Sequence, residues 1–199
     1  MKYTGPKDRL SRREGFDLFG KGTKLTRLNI FPGIHGPKGA RRQASQYGKQ
    51  LREKQKVKRM YGITEKPFSK YVEKAFKFKG NTGEALLTLL EKRLDNVIYR
   101  LGFTINRPSA RQIVSHRHVL VNNKKINIPS YDIKVGDVIT LDGKGMNIPE
   151  VKKAFERDDY SVPTWLKRVG GAGEVSRDPK REDITEAITE QDIVEFYSR

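Results

Sequence analysis

The stretch FTINRPSARQIVSHRHVLVNNKKINIPSYDIKVGDVITLDG, residues 103–143, changes its hydrophobic period midway. Its first part has helical spacing. Pro108 suits a first helical turn, where its missing N–H would have had no intrahelical partner. A short helix over Ser109–Ser115 follows, with Ile113 and Val114 on its apolar side. Arg107, Arg111, Gln112 and His116 project from the other side. The second part alternates. His118–Val121 and Lys125–Ile128 read as strands joined by a turn at Asn122-Asn123, since Asn tolerates positive φ better than other residues with a side chain. A third strand, Asp137–Leu141, follows the turn at Val135-Gly136. A helix beside a small antiparallel sheet predicts an α+β fold.

Upstream of this stretch the periods are helical. Gly102 stops a pattern that includes Arg93–Leu101 and continues a helix capped by Asn81 or Thr82, with Leu86, Leu87, Leu89 and Leu90 buried. Gly80 ends an earlier helix, capped by Thr64 with Pro67 in its first turn. Its face of Phe68, Tyr71, Val72, Ala75 and Phe76 reads as core. SQYGKQLREKQKVKRMYG, residues 45–62, is helical too, with Ser45 as N-cap and a thin apolar stripe. Tyr47, Tyr61 and Trp165 are expected to pack rather than to stack on a ligand. Residues 1–44 are dense in Gly and Pro and poor in apolar residues, so an extended or irregular arm is expected. Downstream, Gly170-Gly171-Ala172-Gly173 lacks the Lys-Ser/Thr of a phosphate loop and reads as a turn.

Charge follows this division. The 199 residues carry 41 Lys+Arg against 24 Asp+Glu, a net +17. Residues 1–90 hold net +15, residues 91–160 net +4 and residues 161–199 net −2. Residues 41–60 alone hold net +7, which repels itself until counter-charge arrives. Phosphate is the natural counter-charge, so a nucleic acid is the expected partner. The acidic tail is expected to pack on protein.

The absence of cysteine excludes disulfides, thiolate zinc sites and Cys nucleophiles. His35, His116 and His118 are too scattered for a metal cage, and no cofactor or metal is expected. The start MKYTGPKDRL has no apolar signal region, and no apolar run has the length of a membrane span. A soluble, intracellular protein without a membrane partner is expected.

LEKRLDNVIYRLGF (90–103), ARQIVSHRHVLVNN (110–123) and NIPSYDIKVGDVI (127–139) closely resemble the αL RNA-binding module. Pseudouridine synthases, a class of tRNA synthetases and a heat-shock RNA binder carry relatives of that module. The flanks separate these. LSRREG (10–15), the 45–62 helix and the terminal IVEFYSR (193–199) are similar to the small-subunit ribosomal proteins of the S-four family, so the resemblance runs nearly end to end. Some members bind zinc near the start through cysteines; here Ser11 stands where one would be expected, as in the zinc-free branch. The family usually has Gly between the two histidines, and here it is Arg117. Its usual Asn-Gly turn is Asn122-Asn123.

The resemblance implies three segments: a basic arm over 1–44, a helical domain over 45–89 completed by 178–199, and the αL domain with a following strand and loop region over 90–177. It implies no catalytic residue. It implies direct binding to the five-prime domain of small-subunit ribosomal RNA, nucleation of the subunit body, influence on decoding accuracy, a neighbour of the S-five type and a place near the channel by which messenger RNA enters. A bacterial cytoplasmic or an organellar ribosome is the expected location. The RNA-binding candidates are Arg12, Arg13, Arg41 and Arg42 in the arm, and Arg52, Lys54, Lys56, Lys58 and Arg59 on the basic helix, about half of which can face RNA. In the module they are Arg107, Arg111, Gln112, His116, Arg117, Asn122 and Asn123. Forked guanidinium donors suit phosphate oxygens, and an A-form helix presents shape, phosphate and 2′-hydroxyls rather than base edges. His118 either packs under the hairpin or meets RNA. Two other functions fit parts of the pattern: a free RNA chaperone or translational regulator, and an RNA-modifying enzyme. The second lacks sequence for a catalytic domain, since Asp95 and Asp137 have places within the module.

Overall fold

The computed structural model describes residues 3–37, 45–157 and 160–198. Helices are α1 (Lys7–Glu14), α2 (Gln46–Met60), α3 (Glu65–Phe76), α4 (Thr82–Glu91), α5 (Leu94–Arg100), α6 (Arg107–Ser115), α7 (Gly143–Met146), α8 (Pro149–Phe155) and α9 (Glu190–Tyr197). Strands are β1 (Val119–Val121), β2 (Lys124–Ile126), β3 (Val138–Leu141), β4 (Leu166–Val169) and β5 (Ala172–Val175). The fold is α+β, with one antiparallel sheet in the order β2-β1-β3-β5-β4. Two compact units divide the described residues. One comprises those up to Gly83 together with those from Ala187 onward; the other is Glu84–Glu186. The segment limits read from sequence lay at 89/90 and 177/178. Thr88 Oγ1 donates to the Pro179 carbonyl and Lys92 pairs with Asp178, so α4 and the strip before Glu186 share the second unit. Among the described residues no helix is long and apolar enough to cross a membrane.

In the second unit, Leu94, Val97 and Ile98 of α5, Leu101 just after it, and Ala110, Ile113 and Val114 of α6 meet the inner faces of β1 and β3, with Val151, Trp165 and Val175. Phe103 stacks on Phe155, ring centroids 5.6 Å apart. Asn122 (φ 48°) and Asn123 (φ 63°) turn β1 into β2 with the left-handed pair that matches strand twist. The helical period across residues 90–101 is not one helix. Arg93 is extended (φ −68°, ψ 135°) and bridges Asp132, while the Leu94 N–H donates to Tyr131 and the Ile133 N–H to Lys92. Pairing with the 129–133 segment, which is remote in sequence, interrupts the helix there. Of the Gly cluster only Gly170-Gly171 is a turn; Ala172 and Gly173 belong to β5, which pairs with β4 in a hairpin that the spacing did not predict. Gly173 lies against Leu101, where any Cβ would collide.

In the first unit, α2 buries Gln50, Lys54, Val57 and Met60, and α3 buries Phe68, Val72 and Ala75. Ser45 caps α2 by accepting from the Gly48 N–H at 3.2 Å. Helix α9 lies on α2: Ile193 is fully buried, Gln50 Nε2 donates to Glu195, and the Tyr47 and Phe196 rings are 5.6 Å apart. The arm, expected to be extended, contains α1 and a 3₁₀ turn at Gly22–Lys24. Few apolar groups hold it. Ser11 and Leu18 are buried, Gly15 (φ 67°) closes α1, and Arg12 donates from Nε to Ile30 and from Nη2 to Phe31, both at 2.9 Å. Phe76, read as core, is 44 % exposed because it lies to one side of the buried Phe68–Val72–Ala75 row.

Candidate nucleic-acid interface

Helix α6 builds one face of the second unit. Asn106 Oδ1 accepts from the Ser109 N–H at 3.0 Å and starts the helix. Ala110, Ile113 and Val114 point inward, which leaves Gln112 and Ser115 exposed and Arg111 partly so. Arg111 Nη1 reaches Asp95 at 3.3 Å, but Asp95 is already taken by Arg93 at 2.6 Å. Arg111 is thus held by one guanidinium nitrogen while the side chain stays partly exposed.

The helix end resolves the Arg117 substitution. The Arg117 N–H donates to Val114 and the His118 N–H to Ile113, a Schellman closure with Arg117 at its left-handed position (φ 64°). An arginine therefore occupies backbone that favours glycine, at roughly 1–2 kcal/mol. The closure leaves Arg117 and His116 exposed beside Gln112. His118 turns to Asp142, with Nδ1 3.2 Å from Oδ1. Burial raises the Asp142 pKa, but the Gly145 N–H, Lys125 and His118 together hold it below the usual carboxylate range. At the hairpin, Asn122 donates to Asp137 at 2.8 Å and accepts from the Val138 N–H, so its side chain fastens β3; Asn123 is exposed.

Arg107 faces inward. Its Nε donates to Asn96 and its Nη2 to Glu186, both at 2.8 Å, and its guanidinium lies 4.5 Å from the Tyr99 ring centre. Arg100 forks onto Glu91 and also reaches Glu186 at 2.7 Å. Burial pushes the Glu186 carboxyl up, yet Arg100 and Arg107 outweigh it and hold the pKa at about 2.

The α2 cations also meet acids. Arg52 and Arg59 donate to Glu14, whose side chain is 1 % exposed. Lys54 is buried, 2.8 Å from Glu65 and 4.2 Å from the centre of the Phe196 ring. Lys58 pairs with the other Glu65 oxygen, and Lys56 pairs with Glu53 and the Ala187 carbonyl. Burial pushes Glu65 up, but hydrogen bonds from Lys54, Lys58 and Tyr197 bring it down to about 2. For Glu14 burial wins over the arginines, and its pKa is raised. Arg12 is spent on backbone carbonyls, whereas Arg13 is exposed. Arg41 and Arg42 lie outside the described residues.

Exposed candidates are therefore Arg13, Gln112, His116, Arg117, Asn122 and Asn123, with Arg111 partly exposed and the Asn122 amide engaged by β3. One exposed set escaped the sequence reading: Lys66, Lys70 and Lys74 of α3, with Lys77 at its end. Their four-residue spacing is the signal that finds them. Among the described residues no group of three or more His, Asp or Glu could hold a metal.

Residues 2–91 match the family described as Ribosomal protein S4/S9 N-terminal domain, and residues 92–139 match the S4 domain. The chain is 51 % identical over 207 aligned positions to a Dictyoglomus turgidum protein named Small ribosomal subunit protein uS4, covering 100 % of this chain and 99 % of that one. It is 50 % identical to the protein of the same name from Dictyoglomus thermophilum, and 46 % identical to Small ribosomal subunit protein uS4A of Psychromonas ingrahamii, at the same coverage.

Proposed function

This chain belongs to the uS4 family of small-subunit ribosomal proteins, and from that premise we propose that it is a structural, non-catalytic protein that binds the five-prime domain of small-subunit ribosomal RNA. The observation that carries this reading is similarity over the whole chain to proteins of that name, arm and terminal helix included. The geometry supports it. Gln112, His116 and Arg117 are exposed at the end of α6, and Arg111 is partly so. Guanidinium forks there meet phosphate, while the amide and imidazole reach 2′-hydroxyls. A surface of this kind gathers converging RNA backbones by neutralising them, which is how the protein nucleates the subunit body. A neighbour of the S-five type, proximity to incoming messenger RNA, a contribution to decoding accuracy and residence on a cytoplasmic bacterial ribosome belong to the same proposal.

The test is binding of the purified protein to the five-prime domain at several salt concentrations. Log affinity falls with log salt by roughly 0.7–0.9 per phosphate contact, so a slope of several units is expected. A flat response, or equal affinity for unrelated RNA at physiological salt, contradicts the reading. Gradient profiles separate the alternative: co-migration with small subunits supports the proposal, and a predominantly free pool supports a chaperone or regulator.

A further inference from the structure

We infer that the outer face of α3 and the turn after it form a binding surface for unpaired RNA, in which Phe78 stacks on a base while Lys66, Lys70, Lys74 and Lys77 hold the adjoining phosphates. The inference rests on the RNA-binding reading above and assigns it a second surface, in the other unit.

Phe68, Val72 and Ala75 bury one side of α3. Lys66, Lys70 and Lys74 recur every four residues, a spacing that precesses about 40° per step, so they form one shallow row. All three are exposed, as is Lys77. Among the described residues no acid pairs with this row, in contrast to α2, where Glu14, Glu53 and Glu65 engage the cations. Of the two acids that adjoin the row in sequence, Glu65 is held by Lys54 and Lys58, and Glu73 accepts from Ser69 Oγ at 3.2 Å. The row is therefore positive charge that folding leaves without a partner.

Phe78 is 56 % exposed. The Lys77 N–H donates to Lys74 and the Phe78 N–H to Ala75, both at 3.1 Å, so tight i→i+3 turns carry the chain from the end of α3 to Phe78 before Gly80 (φ 123°) redirects it. Phe78 follows Lys77 directly, so its ring stands at the C-terminal end of the row. Phe76, two residues beyond Lys74, lies about 200° round the helix and away from the row. An exposed ring at the end of a lysine row is the arrangement that binds single strands: cations track the backbone, and the ring accepts the face of any unpaired base. A duplex hides those faces, and a ring flanked by four ammonium groups suits a polyanion better than an apolar protein surface.

The experiment titrates the full chain with a labelled uridine dodecamer and with an RNA duplex of equal length. Phe78→Ala weakens the dodecamer about tenfold and leaves the duplex and the salt slope unchanged. The triple Lys66→Gln, Lys70→Gln, Lys74→Gln variant lowers the salt slope by about 2. Phe76→Ala binds like the parent. Phe78→Trp retains binding, and its indole emission is quenched by the dodecamer; circular dichroism melts matching the parent show that each variant folds. Undiminished dodecamer binding by Phe78→Ala, equal loss on both RNAs, or absence of quenching overturns the inference. If the parent binds the five-prime domain while Phe78→Ala behaves identically on the dodecamer, this inference alone falls. If the parent binds no ribosomal RNA, the broader reading falls with it.

Discussion

Arg107 donates from Nη2 to Glu186 at 2.8 Å across 79 residues of chain, and this bond ties the start of α6 to the segment that leaves the second unit. Glu186 also accepts from Arg100, so one carboxylate joins both arginines. Glu186→Gln leaves two guanidiniums, each about one-tenth exposed, without their shared counter-charge. Loss of one partner from a buried pair typically costs about 3–5 kcal/mol. Glu91 still holds Arg100, so a loss of about 2–4 kcal/mol is expected in urea unfolding. An unchanged midpoint would mean that the network does not support the fold.

The same carboxylate sets an acid limit. Its folded pKa, about 2, lies below the ordinary 4.5. The stabilisation is present in full above the unfolded value and is lost as pH falls from there toward 2. The difference in pKa corresponds to about 3 kcal/mol. Glu65, half exposed, acts in the same direction with smaller weight. The stability gap between parent and Glu186→Gln should therefore close between roughly pH 4.5 and pH 2. Urea midpoints measured across that window check it; a constant gap contradicts it.

Glu14 should behave oppositely. Burial raises its pKa, so folding disfavours its charged form. Protonation on acidification relieves that penalty rather than removing a support. Its partners Arg52 and Arg59 keep some solvent contact. Glu14→Gln is accordingly expected to change stability by less than about 1 kcal/mol at neutral pH. A loss as large as that of Glu186→Gln would show that the ion pairs, and not the packing of α1, hold the arm.

Arg117 separates stability from binding. Glycine accepts the φ of 64° without strain, so Arg117→Gly should raise stability by up to about 1 kcal/mol. It should also weaken binding to the five-prime domain and reduce the salt slope by about 0.7–0.9, one phosphate contact. Thermal melts and salt-dependent titrations on one preparation read both effects. A stabilised variant with an unchanged slope would remove Arg117 from the proposed interface.

Some of this was legible in the residues. Asn122-Asn123 turned a hairpin because left-handed backbone selects so few residues. Ser45 began α2, and Gly102 (φ 71°) followed the end of the helical pattern, for equally local reasons. The helix break at Arg93 was not legible, because its cause is pairing with Asp132, remote in sequence. Nor was the β4–β5 hairpin, whose short strands depend on β3 as a neighbour.

The amino-acid sequence by itself determined the α+β class, the module at residues 103–143 and the family, because periodicity, turn chemistry and motif order are properties of neighbouring residues. Only the tertiary structure decided which cations remain for a partner. Glu14 meets Arg59 from 45 residues away and Glu186 meets Arg107 from 79 residues away, and no window of sequence contains both members of such a pair. The net +7 of residues 41–60 was therefore a count of charge before folding. Charge is additive along a chain, but its availability depends on distance and burial, which folding alone sets.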